Sequence, residues 1–136
     1  MKAVILCTLL LNLPTYPEHS EAMATCLVIA HTAEAHGESM PVLLSLAWHE
    51  SRLRWSAKSR VGAVGPLQVI PRFWMVSEPC EVAAGVQAFR FWRSKSMGMV
   101  EAVAKYNAGH KPKPRAFIFA NRVVALAEAL NTEATQ

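Results

Sequence analysis

Apolar residues recur along most of this chain at the three-and-four spacing of a helix that hides one face. The first such stretch is "AVILCTLLLNLP", an unbroken apolar run behind Lys2 that breaks at Asn12 and Pro14. From about residue 22 to 36, Met23, Leu27, Ala30 and Ala33 form a stripe that Gly37 terminates. Ser39 and Pro41 then open a second helix, since proline suits a first helical turn. There Leu43, Leu46, Ala47, Glu50 and Leu53 share one face, while Ser45, His49 and Arg52 point elsewhere. "SAKSRVGAVGPLQVIP", 56–71, carries glycines and prolines that forbid a long helix and predict a loop with a short extended piece. A third long helix is expected from near Pro79, capped by Ser77 or Glu78. It runs past Val82, Val86, Phe89 and Trp92 or Arg93 to a stop at Gly98. Residues 99–107 place Val100, Val103, Ala104 and Asn107 on one stripe and end at "YNAG". "HKPKPR" is a rigid basic linker, and Pro114 starts a last helix with Phe119, Val123, Leu126 and Leu130 facing inward. There is no internal repeat or second-domain boundary. The expected fold is one mainly α domain of about five to six helices, with a loop after the helix that carries Glu50.

The first apolar run is too short to span a bilayer but suits the core of an export signal. Residues 1–22 therefore read as a leader and 23–136 as the domain, with Ser20-Glu21-Ala22 and Ala22-Met23-Ala24 both of the small-x-small cleavage pattern. The other reading is an N-terminal helix or strand packed on the domain. Removal of the leader would leave Cys26 and Cys80, either as buried thiols or as a pair in an oxidising compartment. No stable membrane span is expected.

Composition narrows the chemistry. A chain of 136 residues with 52% hydrophobic content can bury a core without staples. The net charge of +4 and the pI near 9.2 favour polyanionic partners, including nucleic acid, anionic lipid and the carboxylate-bearing bacterial wall. Its ten acidic residues are all glutamates, which excludes an Asp-assisted serine triad or an EF-hand loop. The three cysteines show no zinc spacing, so neither metal nor cofactor is expected. "HESRL" begins like a zinc-protease motif, but Leu53 stands where the second histidine must be. His31 and His36 also lie off the spacing of a helical metal pair. The Lys and Arg are scattered with no helix-turn-helix pattern, so no nucleic-acid partner is expected.

Glu50 is the residue that breaks the pattern, a carboxylate in a position otherwise given to core residues. Among Leu46, Leu53 and aromatic neighbours it loses hydration, which penalises its charged form and raises its pKa toward the range of a general acid. The plainer alternative is that Glu50 reaches solvent and pairs with Arg54, four residues on.

The run "AWHESRLRWSAKSRVGAVGPLQVIP", taken with "AKYNAGH" further on, resembles the soluble lytic transglycosylases and their goose-type lysozyme relatives. The shared elements are Glu50-Ser51, Ala57-Lys58-Ser59, Gly62-Ala63-Val64-Gly65, Gln68, Pro71 and Tyr106-Asn107-Ala108-Gly109, in matching order and spacing. The likeness covers nearly all of residues 22–130. Pro66-Leu67 departs from the usual Leu-Met, and Ile70 replaces a methionine that often lines the sugar groove; both changes keep apolar character.

The resemblance implies a lysozyme-like domain acting on peptidoglycan glycan strands outside the cytoplasm, in the periplasm, after export or delivered with a virion. Glu50 would protonate the glycosidic oxygen between N-acetylmuramic acid and N-acetylglucosamine. It would then deprotonate the C6 hydroxyl as a 1,6-anhydro ring closes, with the substrate's N-acetyl group stabilising the charge between. One carboxylate suffices, although Glu78 or Glu81 could contribute. Tyr106 matches the tyrosine whose hydroxyl bonds to that glutamate, and its alternative is a core aromatic. Ser59 and Gln68 match sugar-binding positions, with turn capping as their alternative. Asn107 matches a helix-end residue that either contacts sugar or caps. Gly65 and Gly62 let backbone approach the saccharide, Ile70 lines the groove, and Ser51 holds the helix end. Of Trp48, Trp55, Trp74 and Trp92, one or two are expected to meet ligand. Brevity suggests an enzyme serving a secretion, conjugation or phage apparatus. The competing readings are a hydrolysing muramidase of the same fold and a wall-binding structural component without turnover.

Overall fold

The computed structural model describes residues 1–12, 19–76 and 80–136, and within them the chain is mainly helical. Seven helices appear among the described residues: α1 (Lys2–Leu11), α2 (His19–Ala35), α3 (Met40–Ser51), the single turn α4 (Pro71–Trp74), α5 (Glu81–Ser94), α6 (Met99–Ala108) and α7 (Pro114–Ala134). None is long and apolar enough to cross a membrane. The expected Pro14 break and the Ser77, Glu78 and Pro79 start of the third long helix lie outside the described residues.

Helix α3 is the axis of the fold. Ser39 accepts a hydrogen bond from the Val42 amide at 3.3 Å, and Pro41 sits in the first turn, the two features that start this helix. The apolar face predicted for it is buried, with Leu43, Leu46 and Ala47 fully enclosed. Yet Leu44, Ser45 and Trp48 are buried as well, so Ser45 does not point outward as its place in the stripe suggested. A helix apolar all round is a central helix. Helices α1, α2 and α7 surround it, while α5 and α6 pack with α2 and α7 to complete the domain.

The buried faces of the outer helices are rotated slightly from the predicted stripes. In α2 the enclosed apolar residues are Ala22, Cys26, Ile29, Ala30 and Ala33, joined by Thr25, with Met23 and Leu27 at the flank. In α7 they are Ala116, Ala120, Val123, Ala127 and Leu130, which leaves Phe119 and Leu126 partly buried. Alanines let the long α7 approach α3 and α6 closely. Helix α5 buries Val82, Val86 and Phe89 as expected but ends at Ser94; Gly98 instead caps the start of α6.

Residues 2–11 form a helix whose Ala3, Leu6, Cys7, Leu10 and Leu11 enter the core, and Asn12 ends it where the apolar run breaks. A disulfide joins Cys7 to Cys26 across 5.8 Å between Cα atoms. This corrects the expectation for the cysteines: Cys26 is neither a thiol nor a partner of Cys80, and Cys80 is exposed. Both small-x-small patterns fall inside α2.

A second tie was not foreseen. Glu38, at the corner between α2 and α3, has its carboxylate almost wholly enclosed and gripped by Arg93 of α5, with Nε at 2.8 and 3.0 Å and a terminal nitrogen at 2.7 Å. A carboxylate can be held there because the planar guanidinium satisfies both oxygens at once.

The Cys7–Cys26 bond closes a loop of 19 residues. Such a closure stabilises the fold by about 3 kcal/mol through the unfolded chain. Peptide mapping without reduction is expected to recover Cys7 linked to Cys26. Dithiothreitol should lower the denaturation midpoint of the native protein and leave a Cys7→Ser, Cys26→Ser variant unchanged.

Candidate active site

The chain must reverse immediately after Glu50 for the loop 52–70 to fold over the end of α3. Arg52 and Leu53 make the turn with left-handed backbone, at φ 55° and 62°. Such conformations cost non-glycine residues about 1–2 kcal/mol each. Complete burial of Leu53 contributes about 2–3 kcal/mol and the Arg52 amide still bonds to the Trp48 carbonyl at 2.9 Å, which together offset that cost. The Arg52 guanidinium also lies over the Trp48 ring, 4.8 Å from its centre.

The loop is built as a tight double turn. Val64 and Val69 exchange backbone hydrogen bonds of 2.8 and 3.1 Å, and Lys58 forms an isolated antiparallel bridge to Val64. This is the short extended piece that the sequence predicts. Three contacts clamp it to the helices. The Ser51 hydroxyl lies 2.8 Å from the Pro66 carbonyl, and the Tyr106 hydroxyl donates to the Leu67 carbonyl. The fully buried Leu67 side chain rests directly on Gly85 of α5, where a Cβ would come within 2.6 Å of it.

Folding the loop down encloses a cleft of about 280 Å³ whose lining includes Glu50, Ser59, Gln68, Ile70, Tyr106 and Asn107, together with Trp74 and Trp92. Six of the seven residues proposed from sequence thus share one cavity. Gly65 does not line it. This glycine is buried at φ 78° against Glu81, whose Oε2 would lie 2.5 Å from any added Cβ, so its role is to let the turn pack on α5.

Glu50 is largely desolvated, and burial raises its carboxyl pKa from 4.5 to about 7 against the opposing pull of a hydrogen bond from Asn107. Near neutrality the group is therefore poised between acid and base. The ion pair with Arg54 does not form: Arg54 Nε donates instead to the Ser51 carbonyl at 3.1 Å. Asn107, at the end of α6, takes the part expected of Tyr106. The Tyr106 hydroxyl serves the Leu67 carbonyl, and its pKa is raised well above the ordinary tyrosine value by burial and by the nearby charge of Glu50. The tyrosine is thus beside the glutamate but acts on it through the loop.

The polar residues of the loop also have structural partners. Ser59 Oγ accepts the Ala63 amide at 3.0 Å, a capped turn that leaves its hydroxyl hydrogen able to donate. Gln68 adopts φ 52°, and its Nε2 donates to Gly65 and Ala57 carbonyls at 2.8 and 3.1 Å. Both amide hydrogens are spent on the loop, so the side chain offers its oxygen to a ligand.

Four aromatic rings extend from the cleft along α4, α5 and the turn after α6. Trp74 lies 5.5 Å from Phe91, Phe91 4.9 Å from Trp92, and Trp92 4.9 Å from His110. Of the four tryptophans, Trp74 and Trp92 line the cleft; Trp48 is buried, and Trp55 borders neither cavity beside Glu50. Among the described residues no cluster of three or more His, Cys, Asp or Glu side chains is placed to hold a metal.

Leu67, Gly85 and Ser51 support the cleft without lining it; in the sequence Ser51 drew notice as the residue that holds the helix end and Leu67 as an apolar replacement, while Gly85 drew none. A glycine within the helical pattern "VAAGVQ" was the available signal for close approach of another segment. No family model, curated protein or solved structure matches the chain. What fold and cleft define is a single mainly helical domain with one desolvated glutamate at the end of its central helix.

Two outcomes follow from this geometry. Because the folded-state pKa of Glu50 is raised, the protonated group is tolerated at low pH and stability is lost as pH rises through about 7. Glu50→Gln should therefore be more stable than the native protein at pH 8, by up to about 3 kcal/mol, with the gap closing below pH 5 in denaturant titrations. Gly85→Ala should destabilise by about 1–3 kcal/mol, because neither Leu67 nor the helix backbone can yield freely. A midpoint unchanged from the native protein would show that Leu67 does not rest there.

Proposed function

We propose that this protein is a peptidoglycan lytic transglycosylase of the goose-type lysozyme-like class. It cleaves the β-1,4 bond between N-acetylmuramic acid and N-acetylglucosamine and leaves a 1,6-anhydro-muramic end. The observation that carries this reading is Glu50, desolvated to a pKa of about 7 in a cleft shared with Ser59, Gln68 and two tryptophans.

In this reaction the Glu50 carboxylic acid gives its proton to the glycosidic oxygen as the bond to C1 breaks. The carboxylate left behind accepts the proton of the C6 hydroxyl, whose oxygen closes on C1, so no water is consumed. The acetamido group of the substrate shares the positive charge at C1 between the two steps. A pKa near the working pH lets one group perform both transfers. Asn107 steadies the carboxylate form with its amide, which keeps Glu50 from remaining permanently protonated. Among the described residues Glu50 is the sole carboxylate lining the cleft, and this favours a one-acid lyase over a hydrolase with a second carboxylate.

The indole faces of Trp74 and Trp92 suit the apolar faces of sugar rings, the Ser59 hydroxyl can donate to an acetamido or ring oxygen, and the Gln68 oxygen can accept an acetamido N–H. The site of action would be the periplasm or outer wall, reached by export or with a virion, where a small enzyme opens the wall locally for a secretion, conjugation or phage apparatus. The Cys7–Cys26 disulfide fits an oxidising compartment and favours an N-terminal helix that is retained over a leader that is removed.

Purified sacculi provide the test. The native protein is expected to release soluble muropeptides whose masses show anhydro ends. Glu50→Gln should release none, at least about a thousandfold less, while still sedimenting with sacculi. Reducing-end products would identify a hydrolase instead. Binding without any release by the native protein would make the chain a structural wall binder.

A further inference from the structure

Glu50 borders a second cavity on its other side, of about 310 Å³, and this one has an opposite character. It shares Glu50 and Gln68 with the aromatic cleft, but the rest of its lining holds Arg54, Ser56 and Lys58, with no apolar side chain larger than Ala57. The two cations come from different parts of the turn. Arg54 lies just past the end of α3, where its Nε is anchored on the Ser51 carbonyl at 3.1 Å, so its terminal nitrogens remain to bind. Lys58 is pinned at its backbone by the bridge to Val64. Neither is in an ion pair among the described residues. Two uncompensated cations and a hydroxyl on a braced loop form a site for a carboxylate, which guanidinium and ammonium groups bind by charge-assisted hydrogen bonds.

We propose that this cavity binds a carboxylate carried by the glycan strand on the muramic acid side of the scissile bond. It would thereby set which way the strand lies across Glu50. The proposal rests on the glycan reading above. A strand in which one sugar bears an acid and its neighbour bears none meets a site that is cationic on one side of the proton donor and aromatic on the other. The reversed strand would set the acid among Trp74, Ile70 and Trp92, where a carboxylate is penalised. The same chemistry is offered by the lactyl carboxyl of a peptide-free strand and by the free carboxyls of the stem peptide.

Binding to soluble strands tests this without depending on turnover. In a Glu50→Gln background, affinities are measured for peptide-free strands and for peptide-bearing strands, each with carboxyls free and with carboxyls amidated. Free carboxyls should tighten binding about tenfold over the amidated form, and the gain should shrink as salt rises. Whichever strand shows the gain identifies the lactyl or the peptide group as the source. Arg54→Gln with Lys58→Gln should erase the preference, and Arg54→Lys with Lys58→Arg should restore much of it. Equal affinity for free and amidated strands, a preference that survives the double glutamine variant, or no binding to any strand would overturn the proposal. A charge preference in a native protein that releases no fragments would overturn the lyase reading alone.

Discussion

The seating of Leu67 on Gly85 is the contact on which the rest of the site depends. The loop after α3 has little core of its own, and its few apolar side chains must find cover on helices that come much later in the chain. Leu67 finds it only because α5 has no side chain at Gly85. With that contact made, the carbonyls of Pro66 and Leu67 come within reach of Ser51 and Tyr106, which hold the loop from both sides. The loop thereby becomes a wall over the end of α3. Without the wall, Glu50 would lose part of its cover and titrate closer to the ordinary glutamate range.

Glu50 is consequently a residue whose chemistry is imposed by distant parts of the chain. Its desolvation comes from the wall and from α6, and its hydrogen bond comes from Asn107 at the α6 terminus. The two influences oppose each other, and burial is the larger. The protein accepts an unfavourable place for a charge so that the charge can be gained and lost near neutral pH, and it offsets that cost with ties elsewhere. The disulfide between α1 and α2 and the Arg93 clamp on Glu38 both lie among the supporting helices.

How much was legible beforehand varies with how local the signal is. Ser39, Pro41 and Pro114 mark helix starts through caps and fixed φ angles, so α3 and α7 begin where the chain says they should, whereas Gly98, read as the stop of α5, lies at the start of α6. The glycines and prolines of 56–71 likewise announce a turn by their own backbone limits. The position of Glu50 within an apolar stripe left two outcomes open, a poorly hydrated carboxyl or a solvent-exposed pair with Arg54, and packing decided for the first. The exchange of roles between Tyr106 and Asn107 was not legible, because neighbours in sequence at a helix end differ in aim by about 100°. Which of them faces Glu50 depends on how α6 is rotated against α3 and the loop. The part played by Gly65 was misplaced for a similar reason, since a glycine may admit a ligand or a packed helix with the same backbone angles.

What the amino-acid sequence determined by itself was the longer helices α2, α3, α5, α6 and α7, the turn after α3 and the presence of a carboxylate where a core residue belongs. Each of these is written in propensities and spacings that act within a few residues. Tertiary structure decided the pairing of Cys7 with Cys26, the burial of α3 on all sides, the partner of Glu50 and the contrast between the aromatic and cationic sides of that residue. Those depend on distances between segments far apart in the chain, which local preferences do not set and which only close packing of the helices brings into being.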